Sequence, residues 1–567
     1  MSRRPDGRAS VRYRCAVTPT TDLLIRGGTV LDGSGGPAAR ADVAIAGSSI
    51  VAVGPEASAS PARRVLEADG LVIAPGFIDM HSHADFTLPS YPGALNSLSQ
   101  GVTTEVIGNC GYSPAPLAAD PRLADDQRAA CHGLGPDLDW SWRSFGEYLD
   151  RLDAARPAVN CVPLVGHGML RMAFVGAQDR AATVAELAAM RDSAADALAS
   201  GAWGMSTGLV YPPGSYGSTD EIVAVGAALQ AVDGLYASHI RNENDALAEA
   251  LREALEIGRR LGVRVHVSHL KAAGLANHGR GEEALGILNG ARAAGQAVTQ
   301  DAYPYTAGST LLHQLLPPWT HDGGTDALVV RLGSMEVRAR IAAEIRDGLP
   351  GWPNYTVSAG GPNFIQIASV ANRSLAHLEG LTLTQGAALT GVDPVTFVCD
   401  TVVADHGATT MIVFLMDDSD VDRILDDGAT AIGSDQLGVT SPAARVHPRA
   451  YGTFVRVLGR YVRDRGRLDL ATAIHRMTGL PARILGLEDR GQIRPGGVAD
   501  LVVFDPATVA DLSTYEAPTL LPIGIEAVLL GGRFAVDGGR AVDVGLGRVL
   551  RRTGSAVSGP RPPHRSS

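Results

Sequence analysis

The segment LVIAPGFIDMHSHAD, Leu71–Asp85, decides the fold. A short apolar run punctuated by Pro75 and Gly76 reads as a buried strand, and it ends in His81-Ser82-His83. On a strand, residues i and i+2 point the same way, so both imidazoles can converge on one ion. Barrel enzymes place their chemistry at the C-terminal ends of strands, which is where this pair falls.

Outward from that segment the same arrangement recurs. TTEVIGNC ends at Cys110, GLYASH at His239, VRVHVSH at His269 and TAIGSD at Asp435. Between such runs lie stretches of helical period, among them AATVAELAAMRDSAADALASG (181–201) and NDALAEALREALEIGRRLG (244–262). Alternation of this kind means βαβ units and a parallel sheet. The α/β fold predicted is a (β/α)8 TIM-like barrel over residues 76–490. Its rhythm breaks between about 306 and 400, where PPW, GWPNY and GGPN read as an inserted subdomain. A doubly wound sheet would carry GxGxxG after its first strand, and none is present.

Both flanks are β-rich. Residues 21–75 hold DLLIRGGTVLDGSG and ADVAIAGSSIVAVG, and residues 491–545 hold GVADLVVFDP and IEAVLLGGRFAVDGGR. Together they predict one small β-sandwich closed by both ends of the chain. Residues 1–20 and 546–567 read as loose tails.

Composition narrows the function. Of 567 residues 45% are hydrophobic and 19% charged, as in a globular enzyme rather than a disordered or fibrous chain. The net charge of −11 speaks against nucleic acid as a partner, and no run of 18 apolar residues offers a membrane span. Five widely spaced cysteines (Cys15, Cys110, Cys131, Cys161, Cys399) form no disulfide framework and point to a reducing, cytoplasmic compartment. Only Cys110 ends a strand; the others read as structural. His266 is three residues from His269, hence on the opposite face of a strand, and is not expected to be a ligand. A thiolate, imidazoles and a carboxylate suit Zn²⁺ better than Mg²⁺ or Ca²⁺.

The motifs GFIDMHSHAD, GVTTEVIGNCGYSPAP, STGLVYPPG, SHIRNE, SHLKAAG, DAYPYTAGST, IGSDQ, HPRAYGTFVRVLG and RPGGVADLVVFD occur in this order. With them the chain resembles the D-aminoacylase (N-acyl-D-amino-acid deacylase) branch of the amidohydrolase superfamily from about residue 22 to 545. The resemblance implies that Cys110, His239 and His269 hold a tight zinc. His81, His83 and Asp435 would line a second position, weak or empty, with Cys110 able to bridge. Lys271, Tyr303, Arg449 and Tyr211 match positions that contact the small-molecule substrate. The chain departs from the pattern at Leu270, Gln436, the loop from Gln436 to His447 and Arg241-Asn242-Glu243, all read as pocket rim.

The implied reaction is zinc-dependent hydrolysis of N-acyl-D-amino acids, with Asp435 taking the water's proton and returning it to the departing amine. Asp85 either orients an imidazole or caps the next helix. Lys271 is the only lysine among 49 basic residues. It lies two residues past His269 and is expected to share its face and, with Arg449, to bind the substrate's α-carboxylate. Two other readings compete. A cyclic-amide hydrolase of hydantoinase or dihydroorotase type would need a carbamylated lysine on its own strand, and a non-catalytic barrel kept for binding would show eroded ligands.

Overall fold

The computed structural model describes residues 21–552, apart from 60, 136 and 440–444. The predicted tail 1–20 and the part of the other tail beyond 552 lie outside the described residues.

Eight parallel strands form the centre of the molecule: Phe77–Asp79, Val102–Ile107, Asn160–Pro163 running on as Val165–Gly166, Gly204–Gly208, Leu235–His239, Arg264–Val267, Val298–Ala302 and Thr430–Ile432. The third strand pairs with the second through Asn160–Pro163 and with the fourth through Val165–Gly166. Closure comes from Met80 N donating to the Ile432 carbonyl (3.2 Å) and from a parallel bridge between Ser82 and Gln436. The result is a (β/α)8 barrel. Its strands are buried on both faces: all six residues of Val102–Ile107 are buried, Thr103, Thr104 and Glu105 among them.

The helices outside follow from one-sided patterning. Leu247–Leu261 buries Leu247, Leu251, Ala254, Ile257 and Leu261 along one stripe. Arg259 and Arg260 occupy its last turn, where the helix dipole favours cations, and Gly262 ends it in the left-handed conformation. Val184–Ala199 begins with a capping box between Thr183 and Glu186.

Strands from both ends of the chain make one nine-stranded sheet. The ends are joined by Val72–Pro75 pairing antiparallel with Leu501–Phe504. The first strand, Thr21–Val30, bulges between Ile25 and Gly28. It pairs with Ala62–Glu67 before the bulge and with Val72–Pro75 beyond it. One strand thus serves two neighbours and the sheet bends over an apolar core of Ile25, Ile45, Ile73, Leu501 and Val503.

Two differences from the sequence reading concern boundaries. The insertion after the seventh strand closes only with Thr410–Phe414, which pairs antiparallel with Ala307–Leu311 and with Ile365–Ile367, so it runs past 400. Residues 546–552 are not loose. Cys161 N donates to the Arg548 carbonyl (2.9 Å), Leu550 N donates to the Cys161 carbonyl (2.8 Å), and Val549 and Leu550 are buried. Two apolar residues within an Arg-rich stretch suffice to dock it under the third strand.

Candidate active site

The candidate residues converge at the C-terminal mouth of the barrel; His239 is the last residue of its strand, and the other candidate ligands lie beyond theirs. The first strand stops at Asp79, the second at Ile107, the sixth at Val267 and the eighth at Ile432. His81, His83, Cys110, His269 and Asp435 sit in the turns just beyond. Cys110 (φ 53°), His269 (φ 34°) and Asp435 (φ 52°) are in the left-handed region, which costs a non-glycine residue roughly 1–3 kcal/mol. The alternation argument for Lys271 and His269 therefore fails on its premise, because neither lies on a strand. The two side chains meet anyway.

The turns are held by named contacts. In GNCG, Gly108 has φ 79°, and a Cβ there would lie 2.0 Å from the Leu164 carbonyl oxygen. Asn109 Nδ2 donates to the Val106 carbonyl (2.9 Å) and the Ser82 carbonyl (3.3 Å), tying the cysteine turn to the histidine turn. Asp79 Oδ1 accepts from His81 N (3.0 Å) and Ser434 N (2.8 Å), tying the histidine turn to the aspartate turn. Behind them Glu105 accepts from Ser82 Oγ (2.7 Å) and Gln436 Nε2 (3.1 Å). Burial pushes the Asp79 carboxyl up to about 8, with Glu105 adding to it.

Three groups of ligand atoms lie within metal-binding reach of one another: His81, Cys110 and His269; His81, His83 and Asp435; His239, Glu243 and His269. Cys110 Sγ is 3.2 Å from His81 Nε2 and 3.3 Å from His269 Nε2. Asp435 Oδ1 is 3.5 Å from both His81 Nε2 and His83 Nε2. The His239 and His269 rings are 4.3 Å apart. The structure thus brings Cys110 against His81 and His269, and holds His239 close to both Cys110 and Glu243 (3.6 Å).

Glu243 is the residue that sequence reasoning misplaced. Read as pocket rim, it is buried among the ligands, with Oε1 2.7 Å from Lys271 Nζ and 3.1 Å from His269 Nδ1. A buried lysine needs a counter-ion, and SHIRNE sets Glu243 four residues past His239; together these were the available signals. Lys271 Nζ also lies 2.7 Å from His269 Nδ1. A proton on Nδ1 would donate to Glu243 and leave Nε2 free toward Cys110. Gln436, the other departure, turns into the Glu105 network. Arg241 pairs with Glu253 (2.8 Å).

Charge states follow from these contacts. Burial pushes the Cys110 thiol up, but His81 and His269 outweigh it and hold the group well below its ordinary value. Burial, with nearby carboxylates adding to it, pushes Cys131 and Cys161 up, and Cys399 to about 11. Asp435 resists burial through Arg449, whose Nη1 is 2.9 Å from Oδ2, and through His269 and His81, and stays well below the usual carboxylate range. Glu243 is held low against burial by Lys271 and His239. Burial lifts Tyr303 to about 12. The Arg449 guanidinium lies 4.7 Å from the Tyr303 ring centre, and Tyr211 packs edge-on to His239 at 4.8 Å.

Asp85 lies inside the turn Ala84–Phe86 and caps nothing; burial pushes its carboxyl up to about 7. His266 uses both nitrogens elsewhere, on Asp301 (2.9 Å) and Thr299 (2.8 Å).

The donor set fits a metal. Both ring nitrogens of His239 are buried without a nitrogen or oxygen hydrogen-bond partner, an arrangement folding avoids unless something else satisfies them, while His81 turns Nδ1 to Asp301 (3.5 Å) and leaves Nε2 facing Cys110 and Asp435. Ala307–Leu311 and Val413–Leu415 of the insertion roof the cavity.

A family model described as the amidohydrolase family matches residues 64–536. The D-aminoacylase of Alcaligenes xylosoxydans xylosoxydans is 41% identical over 94% of this chain and 98% of its own. The N-acyl-D-aspartate deacylase of the same organism is 42% identical over 93% and 95%. The crystal structure of the N-acyl-D-glutamate deacylase from Bordetella bronchiseptica, complexed with zinc and a phosphonate mimic of the tetrahedral intermediate, superposes with a TM-score of 0.78. It is 36% identical and covers 94% of this chain and 100% of that one.

Proposed function

The chain belongs to the amidohydrolase family, in its D-aminoacylase branch, and from that premise we propose that it hydrolyses N-acyl-D-amino acids to a carboxylate and a free D-amino acid, with zinc as cofactor. The observation that carries this reading is the depressed Cys110 thiol packed against His81 and His269, beside the nitrogens of His239, which have no nitrogen or oxygen hydrogen-bond partner. Cys110, His239 and His269 would hold the tight ion, with Glu243 fixing the His269 ring from behind. His81, His83 and Asp435 would line a second, weaker position. When bound, zinc supplies Lewis-acid activation of water and of the acyl carbonyl.

The chain's own residues do the rest. Asp435, ionised and held by Arg449, accepts a proton from the attacking water and returns it to the departing amine nitrogen. Lys271 at the cavity, with Tyr303 beside it and Arg449 behind, forms a cationic wall that takes the substrate's α-carboxylate. Tyr211 borders the same space from the His239 side. A carbonyl held at the metal cluster and a carboxylate held at this wall leave one hand of α-carbon able to reach both, which is how D would be told from L. The insertion lines the same cavity through Leu311, Tyr355, Val413 and Leu415.

Lys271 is the sole lysine and is engaged by Glu243, so the carbamylated-lysine bridge of a cyclic-amide hydrolase has no residue to build it. Free, buried thiols among the described cysteines fit a reducing, cytoplasmic setting, and the acidic balance leaves small molecules as the expected partners. The test is a paired assay of zinc-loaded enzyme on the N-acetyl-D and N-acetyl-L forms of methionine, aspartate and glutamate. Release of a D-amino acid from at least one of them, with its L form untouched, supports the proposal; hydrolysis of the L forms at an equal rate, or of none of the six, refutes it.

A further inference from the structure

The relatives that resemble this chain differ in the side chain they accept, and near-equal identities of 41% and 42% do not choose between them. The cavity does. Resting on the deacylase reading above, we propose that this enzyme takes N-acyl-D-amino acids whose side chain is uncharged and apolar, and turns away those of D-aspartate and D-glutamate.

Besides the metal cluster and the residues beside it, the cavity is lined by Tyr112, Leu134, Tyr355, Val413, Leu415 and Leu437, with Ser309 and Thr310 the neutral hydroxyls among them. Tyr355, Val413 and Leu415 come from the insertion or its close, so the segment that roofs the site also sets its polarity. Among the described residues, the only cationic side chain lining this cavity is Lys271, and it is held by Glu243 at 2.7 Å. Arg449 stands behind, on Asp435 at 2.9 Å. In the deacylase reading both serve the α-carboxylate, which every substrate of this class carries.

A second carboxylate would enter a space lined largely by apolar side chains, with no uncommitted cation among the described lining residues to pair with it. Burying a charge without a partner is costly. Arg373 and Arg445 line the adjoining vestibule, as Arg449 does, and not this cavity. Arg373 Nη1 is 2.7 Å from Glu379 Oε1, and Arg445 Nη1 donates to the Glu516 carbonyl at 3.4 Å.

The experiment compares kcat/KM of the zinc-loaded, full-length enzyme for N-acetyl-D-leucine, N-acetyl-D-methionine, N-acetyl-D-aspartate and N-acetyl-D-glutamate. The apolar pair should exceed the acidic pair by on the order of 10²-fold or more, since apolar pockets already discriminate about that much against a single hydroxyl. The γ-methyl ester of N-acetyl-D-glutamate keeps the reach and loses the charge; it should recover at least about tenfold of that deficit. Acidic substrates turned over as well as apolar ones would overturn this inference and leave the deacylase reading standing. An ester as poor as the free acid would overturn it too, by showing that shape and not charge excludes glutamate. Failure of all five compounds would remove the deacylase reading and this inference together.

Discussion

The two ends of the barrel treat buried polar groups in opposite ways. At the floor, Asp500 Oδ2 accepts from Asn160 Nδ2 (3.1 Å) and Arg490 Nε (3.0 Å), and its Oδ1 accepts from Gly531 N (2.7 Å). Nearby Cys161 is a neutral, buried thiol whose backbone is paired with Arg548 and Leu550. At the mouth, His239 has no nitrogen or oxygen hydrogen-bond partner, Cys110 is driven toward the thiolate, and three candidate ligands adopt strained backbone conformations. Floor groups are satisfied by protein alone; mouth groups are arranged for something the protein does not supply. Barrels separate stability from chemistry in this way, and the difference can be tested residue by residue.

The largest expected effect is at Asp435. Asp435→Asn keeps the shape and cannot move a proton, so kcat should fall by ~10²–10⁴-fold while most of the zinc stays bound. Steady-state kinetics with metal analysis decides it; more than about a tenth of wild-type kcat would make Asp435 a structural group like Asp500.

Thiol chemistry sharpens the contrast directly. A thiol held well below its ordinary pKa carries more thiolate at neutral pH than one held above it. In metal-stripped enzyme at pH 7, peptide-mapped alkylation should therefore mark Cys110 on the order of 10²-fold faster than Cys131, Cys161 or Cys399. Lowering the pH through the Cys110 pKa should abolish the difference. Uniform labelling at pH 7 would erase the distinction between mouth and floor.

Lys271→Met removes one charge-assisted contact, worth ~1.5–3 kcal/mol or roughly 10–150-fold in kcat/KM. N-acyl-D-amino acids should show that loss, and their carboxamides should hardly respond. Equal losses on both would make the lysine a counter-ion for Glu243 and nothing more. Glu243→Gln should weaken zinc binding by about 10–100-fold, as loss of a carboxylate behind a ligating histidine does, and competition with a chelator reads this without any assay of turnover.

Much of the mouth was legible before any coordinates. His81, His83, Cys110, His239, His269 and Asp435 each follow an apolar run, and residues that close a buried strand are forced together at one end of a barrel. Glu243 was not legible because it follows His239 within a polar turn, where a carboxylate among arginine and asparagines looks solvated; only the ion pair with Lys271 reveals it. The positive φ angles at Cys110, His269 and Asp435 were invisible because apolar periodicity marks strands and says nothing of the turns after them. The insertion was read too short because Thr410–Phe414 resembles a barrel strand in composition, yet pairs antiparallel with Ala307–Leu311. Val549 and Leu550 were hidden by the arginines beside them.

The central claim is that the mouth is a zinc site, and elemental analysis of gently purified, full-length protein tests it most directly. Binding of the strength found for structural zinc, ~10–16 kcal/mol in small peptides, survives dilution, so the account predicts about one zinc per chain. Cys110→Ala should lose that zinc and keep the fold. Less than about 0.3 zinc per wild-type chain, with no other transition metal in its place, would contradict the account.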